Sequence, residues 1–208
     1  MNQKAFNRLT WATVFLSIAI VVFSWSRGIN WNSGTISAYQ WFPLFGLVAW
    51  VTMAGHYYLG SLRVVYPDLK KPKGYKNFTG YLVLACILLH PGILAFEQNR
   101  NGQGLPPTSF YNFVGDGLKL AVILGSISLI IFLSFEVFER IKDKKIIKKN
   151  WTAISISQSV AMTLIWVHGI TLGTNLGQGW FQFLWILAGL SLIPCFYIIH
   201  KEDFKTRG

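Results

Sequence analysis

Apolar residues in this chain come in six runs of about twenty, separated by short polar or basic segments. A run of that length crosses a hydrocarbon core about 30 Å thick. In such a solvent every backbone amide must find its partner within its own segment, so each run is a helix. The pattern predicts an all-α polytopic membrane protein whose six transmembrane helices lie at roughly Leu9–Trp25, Pro43–Leu62, Phe78–Phe96, Gly117–Phe138, Trp151–Gly173 and Trp180–Ile199. No internal repeat, low-complexity stretch or long linker divides it, so residues 1–208 read as one domain. The first run follows Lys4 and Arg8, and its exit, Phe23-Ser24-Trp25-Ser26-Arg27, offers no small-residue cleavage site, so it reads as a retained helix rather than a signal peptide. The segment Glu97 to Asp116 carries Gly102, Gly104, Pro106 and Pro107 and predicts an irregular extracytoplasmic loop, either a plain connector or a docking surface.

Composition supports this reading, with 52% hydrophobic and 13% charged residues, a balance that excludes an ordinary water-soluble domain. The net charge of +11 raises the question of nucleic acid, and the placement of the basic residues answers it. Lys4 and Arg8 precede the first run. Arg63, Lys70, Lys71, Lys73 and Lys76 separate the second from the third, and Arg140, Lys142, Lys144, Lys145, Lys148 and Lys149 separate the fourth from the fifth. Lys201, Lys205 and Arg207 follow the sixth, leaving only Arg27, Arg100 and Lys119 for the opposite side. The positive-inside rule then puts both termini in the cytoplasm of a multi-pass plasma-membrane protein. The basic loops touch anionic lipid headgroups, and no nucleic-acid partner is expected. Trp25, Trp31, Trp41, Trp151 and Trp180 sit near run ends, where interfacial anchoring explains them. Cys86 falls in the third run and Cys195 near the inner end of the sixth. Their separation predicts neither a disulfide, a zinc site nor a covalent haem attachment.

An ionisable side chain inside a bilayer is costly, so each one is a candidate for function. Three histidines qualify: His56 in the second run, His90 in the third and His168 in the fifth, with His200 at the cytoplasmic end of the sixth. Runs three and five point the same way. His90 lies seven residues before Glu97 and His168 seven before Asn175, so both sit roughly 10 Å inside the outer boundary at about 1.5 Å per residue. Two imidazoles at one depth on separate helices can supply both axial ligands of a haem iron. The alternative is that each makes a hydrogen bond across helices. His56 can contact an inner-side cofactor, a quinone or flavin headgroup, or make a structural hydrogen bond. Ser155 and Gln158 are explained by interhelical hydrogen bonds.

The segment from Gly80 to Pro91, ending Leu88-Leu89-His90-Pro91 and preceded by the basic stretch Lys70 to Lys76, resembles the third helix of the ferric reductase-like transmembrane domain. The segment from Lys148-Lys149-Asn150-Trp151 to Trp166-Val167-His168-Gly169 resembles its fifth helix. That superfamily includes ferric reductases, NADPH oxidase membrane domains and the haem subunit of a methionine sulfoxide reductase system. The resemblance implies a six-helix transmembrane electron carrier with haem b and, at the matching positions, His90 and His168 as axial ligands of the haem iron. Two-haem members carry a further histidine about four turns earlier on each helix, where this chain has Lys76 or Asn77 and Ser155 or Ile154. One haem is therefore implied. Many members append a flavin and nicotinamide module, whereas nine residues follow Ile199 here, which implies a separate electron donor, with quinol or flavin on the inner side, and an extracytoplasmic acceptor. From a different class, a small transporter or membrane-assembly subunit without haem is the alternative. No carboxylate lies near the middle of a run to favour it, Glu136 being near the inner end of the fourth.

Overall fold

The computed structural model describes residues 2–30, 36–177 and 179–205. Trp31 and Arg207 lie outside the described residues. Eight α-helices follow in order: α1 (Gln3–Gly28), α2 (Ala38–Val65), α3 (Tyr75–Arg100), α4 (Thr108–Val114), α5 (Lys119–Arg140), α6 (Lys145–Lys149), α7 (Trp151–Leu172) and α8 (Gly179–Lys205). Short helical turns at Asp116–Leu118 and Thr174–Gly177 complete the described structure, which contains no strand.

Among the described residues five segments are long and apolar enough to cross a membrane: Gln3–Gly28, Tyr75–Arg100, Asp116–Arg140, Trp151–Leu172 and Gly179–Lys201. This is the architecture of a multi-pass membrane protein. Most of each apolar stretch faces outward from the bundle, as lipid-facing surface does. α2 is the exception. It spans 28 residues, yet Gly, Tyr, Trp, His and Pro dilute its apolar character. Its burial accounts for this: Leu44, Leu47, Val48, Ala49, Trp50, Thr52, Met53 and Ala54 are all enclosed by neighbouring helices, so they never have to be soluble in lipid. α2 packs along α3 and also against α1 and α8, while α5 packs along α7 and α7 against α8. The bundle thus has two closely packed helix pairs, α2 with α3 and α5 with α7, and α8 lies against both α2 and α7.

Local chemistry sets the helix ends. α2 begins at Ala38, ahead of Pro43, because Gln40 Oε1 accepts the Ser37 amide at 2.8 Å and closes a capping box. At the basic end of the bundle, Lys76 of α3 and Glu139 of α5 form a salt bridge. At the other end Trp25 is buried rather than lipid-facing: its indole donates to the Gln40 carbonyl at 2.6 Å and packs tilted on Trp41, 4.8 Å between ring centres, latching α1 to α2. The segment expected to be irregular folds in part into α4, whose Phe113 stacks on Tyr39 at 5.7 Å. Cys86 and Cys195 are both buried free thiols. α8 continues to Lys205, beyond the expected end at Ile199, so His200 lies inside the helix and is buried against α7 rather than sitting at the water boundary.

Candidate functional site

His90 leaves α3 beside Pro91, which has no N–H to give the Ile87 carbonyl and so interrupts the α3 hydrogen-bond ladder at the level of the histidine. Its ring turns toward α2, where Nδ1 lies 2.7 Å from the carbonyl oxygen of Phe42. His168 of α7 turns toward α5, and its Nδ1 lies 2.7 Å from the carbonyl oxygen of Ala121. A carbonyl can only accept, so Nδ1 is the protonated nitrogen in both rings and Nε2 carries the lone pair in both. The two ring centres are 6.3 Å apart and the ring planes stand at 83°. The structure therefore brings together the two histidines that the sequence put at one depth.

They face a common cavity of about 280 Å³. Its walls are mostly carbon, with Trp50 and Trp185, 2% and 3% exposed and 4.2 Å apart between ring centres, closing one side. Along the bundle axis the lining changes character. Met53 and Phe132 line the end toward the basic loops, whereas Tyr39, Thr174 and Asn175 line the opposite end, beneath Phe110 and Phe113 of α4. The Tyr39 hydroxyl accepts the Asn101 amide at 2.7 Å.

Whether a haem iron fits between these rings is a question of distance. Metal to imidazole-nitrogen bonds of about 2.0 Å, with roughly 1.1 Å from nitrogen to ring centre, put two coaxial ring centres about 6.2 Å apart. The observed separation of ring centres, 6.3 Å, is of that size. Among the described residues no group of three or more His, Cys, Asp or Glu side chains gathers that could hold a metal ion.

His56 is differently occupied. Its Nε2 lies 2.7 Å from Thr79 Oγ1, and that hydroxyl spends its proton on the Tyr75 carbonyl at 2.6 Å. His56 Nε2 must therefore be the donor, the opposite tautomer to that of the cavity pair. Its ring packs on Tyr75 at 5.3 Å between centres, and His56 does not line the cavity. His200, 6% exposed, lies with Nε2 2.9 Å from Ser159 Oγ. Neither joins the His90 and His168 site.

Sequence reasoning missed the partners of the two rings. Phe42 and Ala121 act through main-chain oxygens, which every residue has, and so give no compositional signal. Gly46 and Gly125, against which the rings lie, did offer one: a glycine within an apolar run, across from a histidine on the adjoining helix. Fold and site together define an all-α, multi-pass bundle with a paired-imidazole cavity between helices. Comparison with known proteins returns no matching family, no matching curated protein and no matching solved structure.

Proposed function

We propose that this chain is a six-span plasma-membrane cytochrome that holds one haem b between His90 and His168. It passes electrons from a separate inner-side donor, a quinol or flavin, to an extracytoplasmic acceptor. The observation that carries this reading is the pair of imidazoles, both tied through Nδ1 and set 6.3 Å apart in an apolar cavity. The resemblance of α3 and α7 to the ferric reductase-like domain points the same way.

When bound, haem iron supplies one-electron chemistry. The chain's own residues do the rest. His90 and His168 would hold the iron through Nε2, and the Phe42 and Ala121 carbonyls keep each ring in the tautomer that leaves this nitrogen free. Trp50, Trp185, Phe132 and Met53 exclude water from one end. Tyr39, Thr174 and Asn175 give the other end a polar lining, which suits a macrocycle with carboxylates on one edge only. Cys86 and Cys195 lie outside the cavity lining, so the haem is held without a covalent link.

The sixth span is α2. At 28 residues and about 1.5 Å per residue it exceeds the hydrocarbon thickness, and its packing within the bundle supports its crossing with the rest. The sixteen basic residues that the sequence assigns to one side of the membrane support cytoplasmic termini. The test is a reduced-minus-oxidised visible spectrum of the purified full chain, with a haem-to-protein ratio. A low-spin b-type spectrum near one haem per chain is expected. A chain that takes up no haem overturns the reading and moves the transporter or assembly role to the front.

A further inference from the structure

The two half-sites are built alike, and the likeness extends to residues that carry no functional group. On α2 the carbonyl that receives His90 belongs to Phe42, and four residues on stands Gly46. On α5 the carbonyl that receives His168 belongs to Ala121, and four residues on stands Gly125. A Cβ at Gly46 would lie 2.8 Å from His90 Nδ1 and 2.9 Å from its Cε1. A Cβ at Gly125 would lie 2.6 Å and 2.7 Å from the same atoms of His168. By contrast, a Cβ at Gly80 or Gly92 of α3 meets nothing within 4 Å.

The spacing has a geometric cause. Cα–Cβ bonds in a helix tilt toward its N-terminus, so the side chain at i+4 overhangs the carbonyl at i. Each carbonyl has two lone pairs, and its helical amide uses one. Where the overhanging residue has no side chain, a flat ring can lie directly against the helix and reach the second, as Trp166 also does at the Trp185 carbonyl beneath Gly189. Glycine weakens a helix interior relative to alanine, so its presence at both overhanging positions calls for a local reason. The imidazoles supply it.

We propose that Gly46 and Gly125 are positioning residues, each admitting one imidazole to a helix carbonyl and thereby fixing the rotation, depth and tautomer of one axial ring. The proposal rests on the haem reading for its purpose and on the contacts above for its geometry. It accounts for the 83° between the rings: each is oriented by its own helix pair, α2 with α3 and α5 with α7.

The test compares the full-length wild type with Gly46→Ala, Gly125→Ala and the control Gly92→Ala, loaded with haem in detergent. The wild type and Gly92→Ala are expected to stay six-coordinate and inert to carbon monoxide when reduced. Gly46→Ala and Gly125→Ala should each gain a high-spin fraction and bind carbon monoxide, rising from none toward one per haem. Low-spin, carbon monoxide-inert haem in both variants overturns the proposal. Nitrogen NMR of the ring-labelled chain, expressed without added haem, decides it independently. Two Nδ1–H imidazoles assigned to His90 and His168 in the wild type are expected, with His90 changed in Gly46→Ala and His168 in Gly125→Ala. Nε2–H rings at these positions in the wild type overturn the proposal even where a variant fails to fold. A wild type that shows both Nδ1–H rings but takes up no haem sinks the functional reading and leaves the clamp standing.

Discussion

His90 and His168 on one side, and His56 on the other, are all histidines on helices of one bundle, yet they are committed in opposite ways. In the cavity pair Nδ1 is spent on a main-chain carbonyl, and Nε2 remains as a lone pair. In His56 Nε2 is spent on Thr79. A backbone carbonyl is a fixed acceptor that forces the donor role on the nitrogen it meets, whereas a threonine hydroxyl can play either part until its own proton is committed, as here to Tyr75. What separates a candidate metal ligand from a helix-to-helix tie is therefore which nitrogen is engaged and by what, more than the depth of the residue in the membrane.

The largest expected effect breaks the comparison if it falls on the wrong histidine. Replacing His90 or His168 with alanine should each take haem content from near one per chain to near zero. Replacing His56 should leave most of it. Haem loss confined to His56→Ala would assign the ligand wrongly. A smaller effect sharpens the contrast: Thr79→Val strands the His56 donor, and the loss of one interhelical bond should lower stability by about 1 kcal/mol with the haem spectrum unchanged, read by denaturation in detergent. The smallest is Glu139→Gln, which removes the salt bridge to Lys76. With Lys76 60% exposed, solvent screening should hold the change below about 1 kcal/mol, again without spectral change.

How far the sequence speaks depends on whether a feature is carried by side chains. Apolar runs marked α1, α3, α5, α7 and α8 because each must present carbon to its surroundings, and counting residues to Glu97 and Asn175 put His90 and His168 at one level. The helix ends were less legible. α1 starts at Gln3 rather than near Leu9, and α8 runs past His200, since a helix continues into polar surroundings wherever its amides stay bonded. α4 was hidden by the glycines and prolines ahead of it. The rings' acceptors could not be read at all, because a carbonyl belongs to every residue and only the fold says which one a ring can reach.

The arrangement of the bundle has a thermodynamic corollary. One imidazole comes from the α2 and α3 pair and the other from the α5 and α7 pair. Anything coordinated by both spans that division like a rivet, so tightening the grip on it and tightening the union of the two pairs draw on the same free energy. Loading then raises the resistance of the whole bundle to coming apart, and loosening α8, which packs against both pairs, weakens retention without touching either ring.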